Sequence, residues 1–87
     1  MTFQETVFQF IAIELDLGET LADVAATEYA QDRPARGQEV LAKVEQAWAE
    51  AERRLQYADG RGWDTTALWH RLHLLNKKIA GLGLPRP

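Results

Sequence analysis

Residues Gln38 to Ala58, QEVLAKVEQAWAEAERRLQYA, decide the fold class of this chain. Their apolar residues recur at steps of three and four, which places them on one face of an α-helix: Val40, Leu41, Val44, Ala47, Trp48, Ala51, Leu55 and Ala58. The opposite face is charged and contains two acid–base pairs at the four-residue spacing that favours ion pairs on a helix surface: Glu39 with Lys43 and Glu50 with Arg54. The pattern predicts a helix that has neighbours on one side only.

Length and composition indicate one small domain, residues 1–87, built around a single core. The chain has 87 residues, of which 46% are hydrophobic, and a net charge of −3. It contains no cysteine, so a disulfide framework and a thiolate metal site are both excluded, and a cytoplasmic location is favoured. The apolar run from Val7 to Leu17 is interrupted by Gln9, Glu14 and Asp16, which argues against a signal peptide and against a membrane span.

Capping and stop signals divide the chain into three helices of about residues 2–30, 38–58 and 65–81, followed by a tail of residues 82–87. Thr2 and Glu5 form a capping-box pattern at the start. The polar connection around Pro34 and the glycines at 60 and 62 separate the helices, and Asp64 or Thr65 can cap the third. Short connections predict an all-α, up-down-up antiparallel bundle, either complete in itself or completed by dimerisation.

The first helix carries two adjacent apolar stripes that together cover more than half of its circumference. The first is expected to face the core: Phe3, Val7, Phe10, Leu17, Leu21 and Val24. The second consists of Phe8, Ile11, Leu15, Gly18, Ala22, Ala26 and Tyr29. A helix apolar on most sides lies between two neighbours or against an oligomer partner. Gly18 leaves two alternatives open, a continuous helix or a kink near residues 16–18.

Apolar surface that one intramolecular seam leaves over predicts an interaction surface, with these residues as candidates: Phe8, Ile11, Leu15, Gly18, Ala22, Trp69 and Leu74. For the row from Gly18 through Ala22 to Ala26 the alternative is close helix packing within the chain. For Trp63 and Trp69 the alternative is that both fold over the end of the bundle.

Charge is distributed asymmetrically. Residues 1–30 contain six acidic residues and neither lysine nor arginine, whereas residues 60–87 contain five basic residues and one acidic residue. The two segments are expected to lie side by side, within one chain or across a dimer. Glu14 interrupts the first stripe, so we expect it to be paired, with Arg71 or Lys78 as partner, or to reach solvent at the edge of the stripe.

Chemistry-bearing patterns are few. His70 and His73 stand three apart but are expected to face solvent, and no metal or other cofactor is predicted. The sequence contains no serine, no cysteine and no phosphate-binding glycine loop, which argues against an enzyme.

These patterns favour a non-enzymatic helical interaction module or small homodimeric adaptor, whose partner is itself or another protein. The runner-up is a regulatory protein that binds nucleic acid through the third helix, which the net negative charge opposes. A third hypothesis is a bundle that binds a ligand or metal through Glu14 with His70 or His73.

Overall fold

Three helices in up-down-up order form the protein: α1 (Phe3–Ala30), α2 (Pro34–Gly60) and α3 (Thr66–Gly81). The computed structural model describes residues 1–82, and no strand occurs among them. The predicted all-α three-helix bundle is confirmed. Of the predicted tail, residues 83–87 lie outside the described residues.

The start of α1 follows the predicted capping pattern. Thr2 is the N-cap, and its Oγ1 accepts a hydrogen bond of 3.1 Å from the backbone N–H of Glu5. From there α1 continues without interruption through Gly18 to Ala30, as the preferred alternative predicted.

Helix α2 begins four residues earlier than the predicted start at residue 38. Pro34 occupies the first helical turn, where its fixed φ suits the helix and its missing N–H costs nothing. The connection is therefore shorter than predicted, residues 31–33. Gly37 lies inside α2 and is buried. It packs so close to Tyr29 that an added Cβ would come within 2.9 Å of the tyrosine ring.

Both long helices end in the same hydrogen-bonding motif. Arg33 N–H donates to Glu28 C=O at 2.9 Å and Asp32 N–H donates to Tyr29 C=O at 3.1 Å. The equivalent bonds at the end of α2 run from Trp63 to Ala58 and from Gly62 to Asp59. Each is a Schellman motif, which requires one left-handed residue. Gly62 has φ 75°, whereas the residue at this place after α1 is Asp32, with φ 58°.

The core lies where the three helices meet, and its largest fully buried side chains are Ile11, Leu15, Leu55, Leu72, Leu75 and Val44. Helix α1 contributes to this core mainly through Ile11, Leu15, Gly18 and Ala22 of the second stripe. A Cβ at Gly18 would lie 2.7 Å from Leu75 Cδ2 and 3.7 Å from Ala47 Cβ, so the missing side chain is what lets α3 approach. The expectation that the first stripe faces the core holds only for Val7 and Leu21, which are half-buried against it. It is wrong for the rest of that stripe, because the glycine-containing row is the one that leaves room for α3.

The Gly18 contact predicts a substitution whose sign depends on its partner. Gly18→Ala gains up to about 1 kcal/mol of helix propensity but forces repacking of Leu75, which costs roughly 1–3 kcal/mol, so we expect a net loss of about 1 kcal/mol. In a Leu75→Val background, which lacks the Cδ methyl groups, the same substitution should stabilise. Urea unfolding measures both, with Gly81→Ala as a control because a Cβ there meets nothing within 4 Å. An equal loss in both backgrounds would contradict the packing argument.

The two left-handed residues predict opposite effects of glycine exchange. Gly62→Ala should lower the free energy of unfolding by about 1 kcal/mol, because alanine is strained at this φ. Asp32→Gly should raise it by about 0.5 kcal/mol, the relief of strain exceeding the extra entropy of the unfolded chain. Gln31→Gly is the matched control, since Gln31 has φ −92° and should lose stability. Urea unfolding of the three variants gives the signs.

Candidate interaction surface

Helix α1 presents a row of large apolar side chains to solvent. We name it the α1 stripe, and its members with their exposed fractions are Phe3 60%, Phe10 51%, Ile13 59%, Leu17 48% and Val24 42%. At 3.6 residues per turn these five lie within an arc of about 80°. Scaled by the roughly 150–250 Å² that an aromatic side chain can bury, their exposure amounts to on the order of 500 Å² of apolar surface. A patch of that size is near the largest that a monomeric protein usually shows and often has a function.

The α1 stripe borders α2 on the side of α1 that lies away from α3. Phe3 packs edge-on against Tyr57 with ring centroids 6.5 Å apart. The guanidinium carbon of Arg54 lies 5.6 Å from the centroid of the Phe10 ring, a cation–π contact. These contacts cover part of each phenylalanine ring and leave the rest exposed to solvent.

A groove of about 500 Å³ runs beside the stripe between α1 and α2, lined by Glu14, Leu17, Leu21, Lys43, Gln46, Ala47 and Glu50. Glu14 is half-buried at this groove and, among residues 1–82, forms no ion pair with Arg71 or Lys78. The predicted Glu14–Arg71 and Glu14–Lys78 pairings are wrong, because Glu14 lies toward α2 whereas α3 packs against another side of α1. The other predicted alternative describes the structure, because Glu14 lies at the edge of the stripe and reaches solvent.

Helix α3 instead pairs with the acidic residues next to its own seam. The Nη2 of Arg71 donates to Asp16 Oδ1 at 2.6 Å and to Glu19 Oε1 at 3.2 Å, and Lys78 Nζ donates to Asp23 Oδ1 at 2.7 Å. The hydrogen bond to Asp16 is the main cause of a raised pKa of Arg71. The expectation that the acidic and basic segments lie side by side is confirmed within one chain.

The surface pairs on the long helices differ in detail from the predicted ones. Arg53, not Arg54, pairs with Glu50, at 3.1 Å, because Arg54 is directed toward the Phe10 ring. A further ion pair joins Arg33 to Glu28 at 3.2 Å and adds a side-chain link to the turn after α1.

The structure places most of the residues predicted for the interaction surface elsewhere. Ile11, Leu15, Gly18 and Ala22 are buried in the core, and Phe8 is half-buried. A partner cannot reach the four buried residues in the folded chain. Of the two predicted on α3, Trp69 is half-buried and Leu74 is 50% exposed.

Both tryptophans near the α2–α3 connection stabilise the end of the bundle. Trp63 packs edge-on against Phe3, Phe8 and Tyr57, with centroids 5.9–6.1 Å apart. Trp69 Nε1 donates to Asp59 Oδ2 at 2.7 Å. The alternative that the two tryptophans fold over the bundle end therefore describes the structure.

Asp59 and Asp64 fix the start of α3. Asp59 Oδ1 accepts a hydrogen bond from Thr65 Oγ1 in addition to the one from the Trp69 indole. Asp64 Oδ1 accepts hydrogen bonds from Thr66 Oγ1 at 2.8 Å and Thr66 N at 3.2 Å, and these bonds lower the pKa of Asp64. Thr65 is the N-cap residue but its side chain does not cap the helix; the Asp64 side chain instead accepts the backbone N–H of Thr66, the first residue of α3.

The histidines do not form a site with Glu14. His70 and His73 are exposed on α3, as predicted, and the His73 ring lies 6.1 Å from that of Trp69. Within residues 1–82 no group of three or more histidine, aspartate or glutamate side chains is arranged to hold a metal ion.

Sequence reasoning identified most of the α1 stripe but not its exposure, and it missed Ile13. A signal for the exposed row was nevertheless present in the sequence, because Phe3, Phe10, Leu17 and Val24 repeat every seven residues. Such a repeat is typical of a helix that packs along one partner helix.

Comparison with protein-family models, with curated proteins and with solved structures gives no match to this chain. The fold class, an all-α bundle of three helices, therefore stands on the structure itself. None of the helices within residues 1–82 is long and apolar enough to cross a membrane.

Replacing Arg71, the α3 cation that bridges Asp16 and Glu19, tests the ion pairing between α1 and α3. The Arg71 side chain is 33% exposed, so solvent screening limits the effect of Arg71→Met to a loss of about 1 kcal/mol or less at low salt. The loss should shrink at about 1 M salt, where charges are screened within about 3 Å. Since the pKa of Arg71 is raised, its charge persists as pH rises past its usual range, and salt is the better variable. Urea unfolding at two salt concentrations measures this; Lys77→Met, also on α3, should change little at either.

Proposed function

We propose that this chain is a non-enzymatic helical protein-interaction module that binds an apolar helix of another protein molecule through the α1 stripe. The observation that carries the proposal is the alignment of five half-exposed large apolar side chains along one face of α1. Covering apolar surface is worth about 2.5 kcal/mol per 100 Å². An exposed ion pair contributes about 1 kcal/mol at most, so the stripe is the largest source of binding energy on this surface.

The shape of the stripe supports a helix as partner. Its residues follow a seven-residue repeat along about 32 Å of α1, the arrangement in which one helix packs along another. The adjoining groove, with Leu17 and Leu21 on its wall, can take the side chains of such a helix. The charged groups Glu14, Lys43 and Glu50 lie at this groove and would form the polar rim of the interface.

The pairing of the α3 charges within the chain argues against nucleic acid as the partner. Arg71 and Lys78 are engaged with carboxylates of α1. A phosphate would have to displace those carboxylates, and the chain as a whole carries a net charge of −3. The absence of serine and cysteine from the sequence supports a non-enzymatic role, and the absence of cysteine also favours a cytoplasmic location.

Site-specific photo-crosslinking in the cells that make the protein tests the proposal. A photoreactive amino acid replaces Phe10 in one variant, Ile13 in a second and the exposed Gln56 of α2 in a control. We expect a discrete adduct from both stripe positions and none from the control, because only the stripe is covered by a partner. The adduct should resist nuclease and be degraded by protease.

A charge in the stripe gives the matching loss. Leu17→Glu should abolish the adduct at Ile13, while Gln56→Glu should leave it unchanged, and circular dichroism should show the same helix content for both variants. Equal adducts from Phe10, Ile13 and Gln56, or none from any of them, would refute the proposal. A nuclease-sensitive adduct would support nucleic acid binding instead.

A further inference from the structure

Four members of the α1 stripe are evenly spaced along the helix, since Phe3, Phe10, Leu17 and Val24 stand seven residues apart. An evenly spaced row looks the same when it is read backwards. Reversing a second α1 about the midpoint between Phe10 and Leu17 brings Phe10 opposite Leu17 and Phe3 opposite Val24. Each aromatic ring then meets an aliphatic side chain, and the facing pairs, Phe10 with Leu17 and Phe3 with Val24, have similar total volumes.

From this symmetry we infer that the partner of the α1 stripe is a second copy of this chain, packed antiparallel across a two-fold axis beside Ile13. The inference rests on the proposed function and names its partner. A two-fold contact uses the same patch on both molecules, so the patch must be complementary to itself. The reversed row meets that condition, whereas a parallel pair would place the two Phe10 rings, and also the two Phe3 rings, against each other.

The charges of α1 allow such a contact although the helix contains six acidic residues and neither lysine nor arginine. Two acidic helices would repel each other if their carboxylates were unpaired. Four of the six are paired within the chain: Asp16 and Glu19 with Arg71, Asp23 with Lys78, and Glu28 with Arg33. The α3 cations thus neutralise α1 on one side, and the stripe itself is uncharged. Glu14 lies at the edge of the stripe beside the proposed axis, and Lys43 at the same groove supplies a cation near the two facing copies of this carboxylate.

One further position of the repeat, the one that Ile13 occupies, is also uncharged. Thr6, Thr20 and Thr27 occupy the places that Ile13 occupies in its own heptad. Threonine is short and can hydrogen-bond to water or to a facing hydroxyl, so it allows close approach without introducing charge. This flank of the stripe therefore offers no carboxylate to a basic partner helix, and on the other flank Glu14 and Glu50 line the groove together with Lys43. Both features favour a partner face without strong net charge, such as the stripe of another copy.

The area is sufficient for a reversible dimer. Two stripes together would cover on the order of 1,000 Å² of apolar surface, about the lower limit for a specific protein–protein interface. The threonine row and the edge of Tyr57 add to it. For the experiments below we take a dissociation constant of roughly micromolar order as the starting value, because area near this limit leaves little free energy after the cost of association.

Engineered disulfides test the geometry cleanly, because the chain has no cysteine of its own. Copies carrying Phe10→Cys are mixed with differently tagged copies carrying Leu17→Cys and oxidised at protein concentrations near the expected dissociation constant. We expect the mixed disulfide to form at least about tenfold faster than a disulfide between two Phe10→Cys copies, because the dimer holds the two thiols at an effective concentration of roughly millimolar order. A mixture of Gln56→Cys copies gives the rate of random collision.

Replacing Phe10 or Leu17 by cysteine could itself weaken the interface. A third cysteine variant therefore keeps Phe3, Phe10, Leu17 and Val24 intact. Ile13→Cys lies beside the proposed axis and should pair with itself faster than Gln56→Cys does. Faster pairing of Phe10→Cys with itself than with Leu17→Cys would overturn the antiparallel arrangement. Rates equal to the Gln56→Cys rate in all mixtures would overturn the dimer altogether.

Sedimentation equilibrium of the unmodified chain separates this inference from the proposed function. We expect twice the mass of one chain at concentrations above the dissociation constant. A monomer at all concentrations, together with a photo-crosslinked adduct that does not have twice the chain mass, would refute self-association and leave the interaction module with a different partner. A monomer without any adduct would refute both.

Discussion

The contact between Gly18 of α1 and Leu75 of α3 decides which side of α1 faces the core. Leu75 is 1% exposed, and one of its methyl carbons lies 2.7 Å from the place where a Cβ of residue 18 would be. Ala47 of α2 lies 3.7 Å from the same point, so all three helices converge there. Because close approach needs a residue without a side chain, the row containing Gly18 is turned inward and the row containing Phe10 is turned outward.

The ion pairs between α1 and α3 follow from that packing and fix the alignment of the two parallel helices. Arg71 and Lys78 are seven residues apart, and so are their partners Asp16 and Asp23. Each pair is exposed enough to contribute little stability. Sliding α3 by one turn along α1 would break both pairs at once and remove Leu75 from its place beside Gly18, so the register is better determined than the energies suggest.

Helical periodicity and capping were sufficient to predict three helices in antiparallel order, and charge asymmetry was sufficient to predict that α1 and α3 lie side by side. The predicted start of α2 at residue 38 is four residues late, because Pro34 ends the connection and is itself a favoured residue in a first helical turn. Both stripes of α1 recur at helical steps, so periodicity could not rank them, and the larger apolar side chains of the first stripe favoured the wrong one. Which stripe faces the core depends on the tertiary contact at Gly18. The predictions for the partner of Glu14 and for the accessible surface both depended on that choice.

Large apolar side chains lie on both the inner and the outer row of α1. The inner row combines Ile11 and Leu15 with the small residues Gly18, Ala22 and Ala25, whereas two phenylalanines, an isoleucine, a leucine and a valine lie on the exposed row. At Gly18 a small residue faces inward because α2 and α3 approach closely at that point. The residues of the outer row remain 42% to 60% exposed, so a large part of their apolar surface is not used by the core. Their presence on the exposed row is the reason for proposing that another molecule covers it.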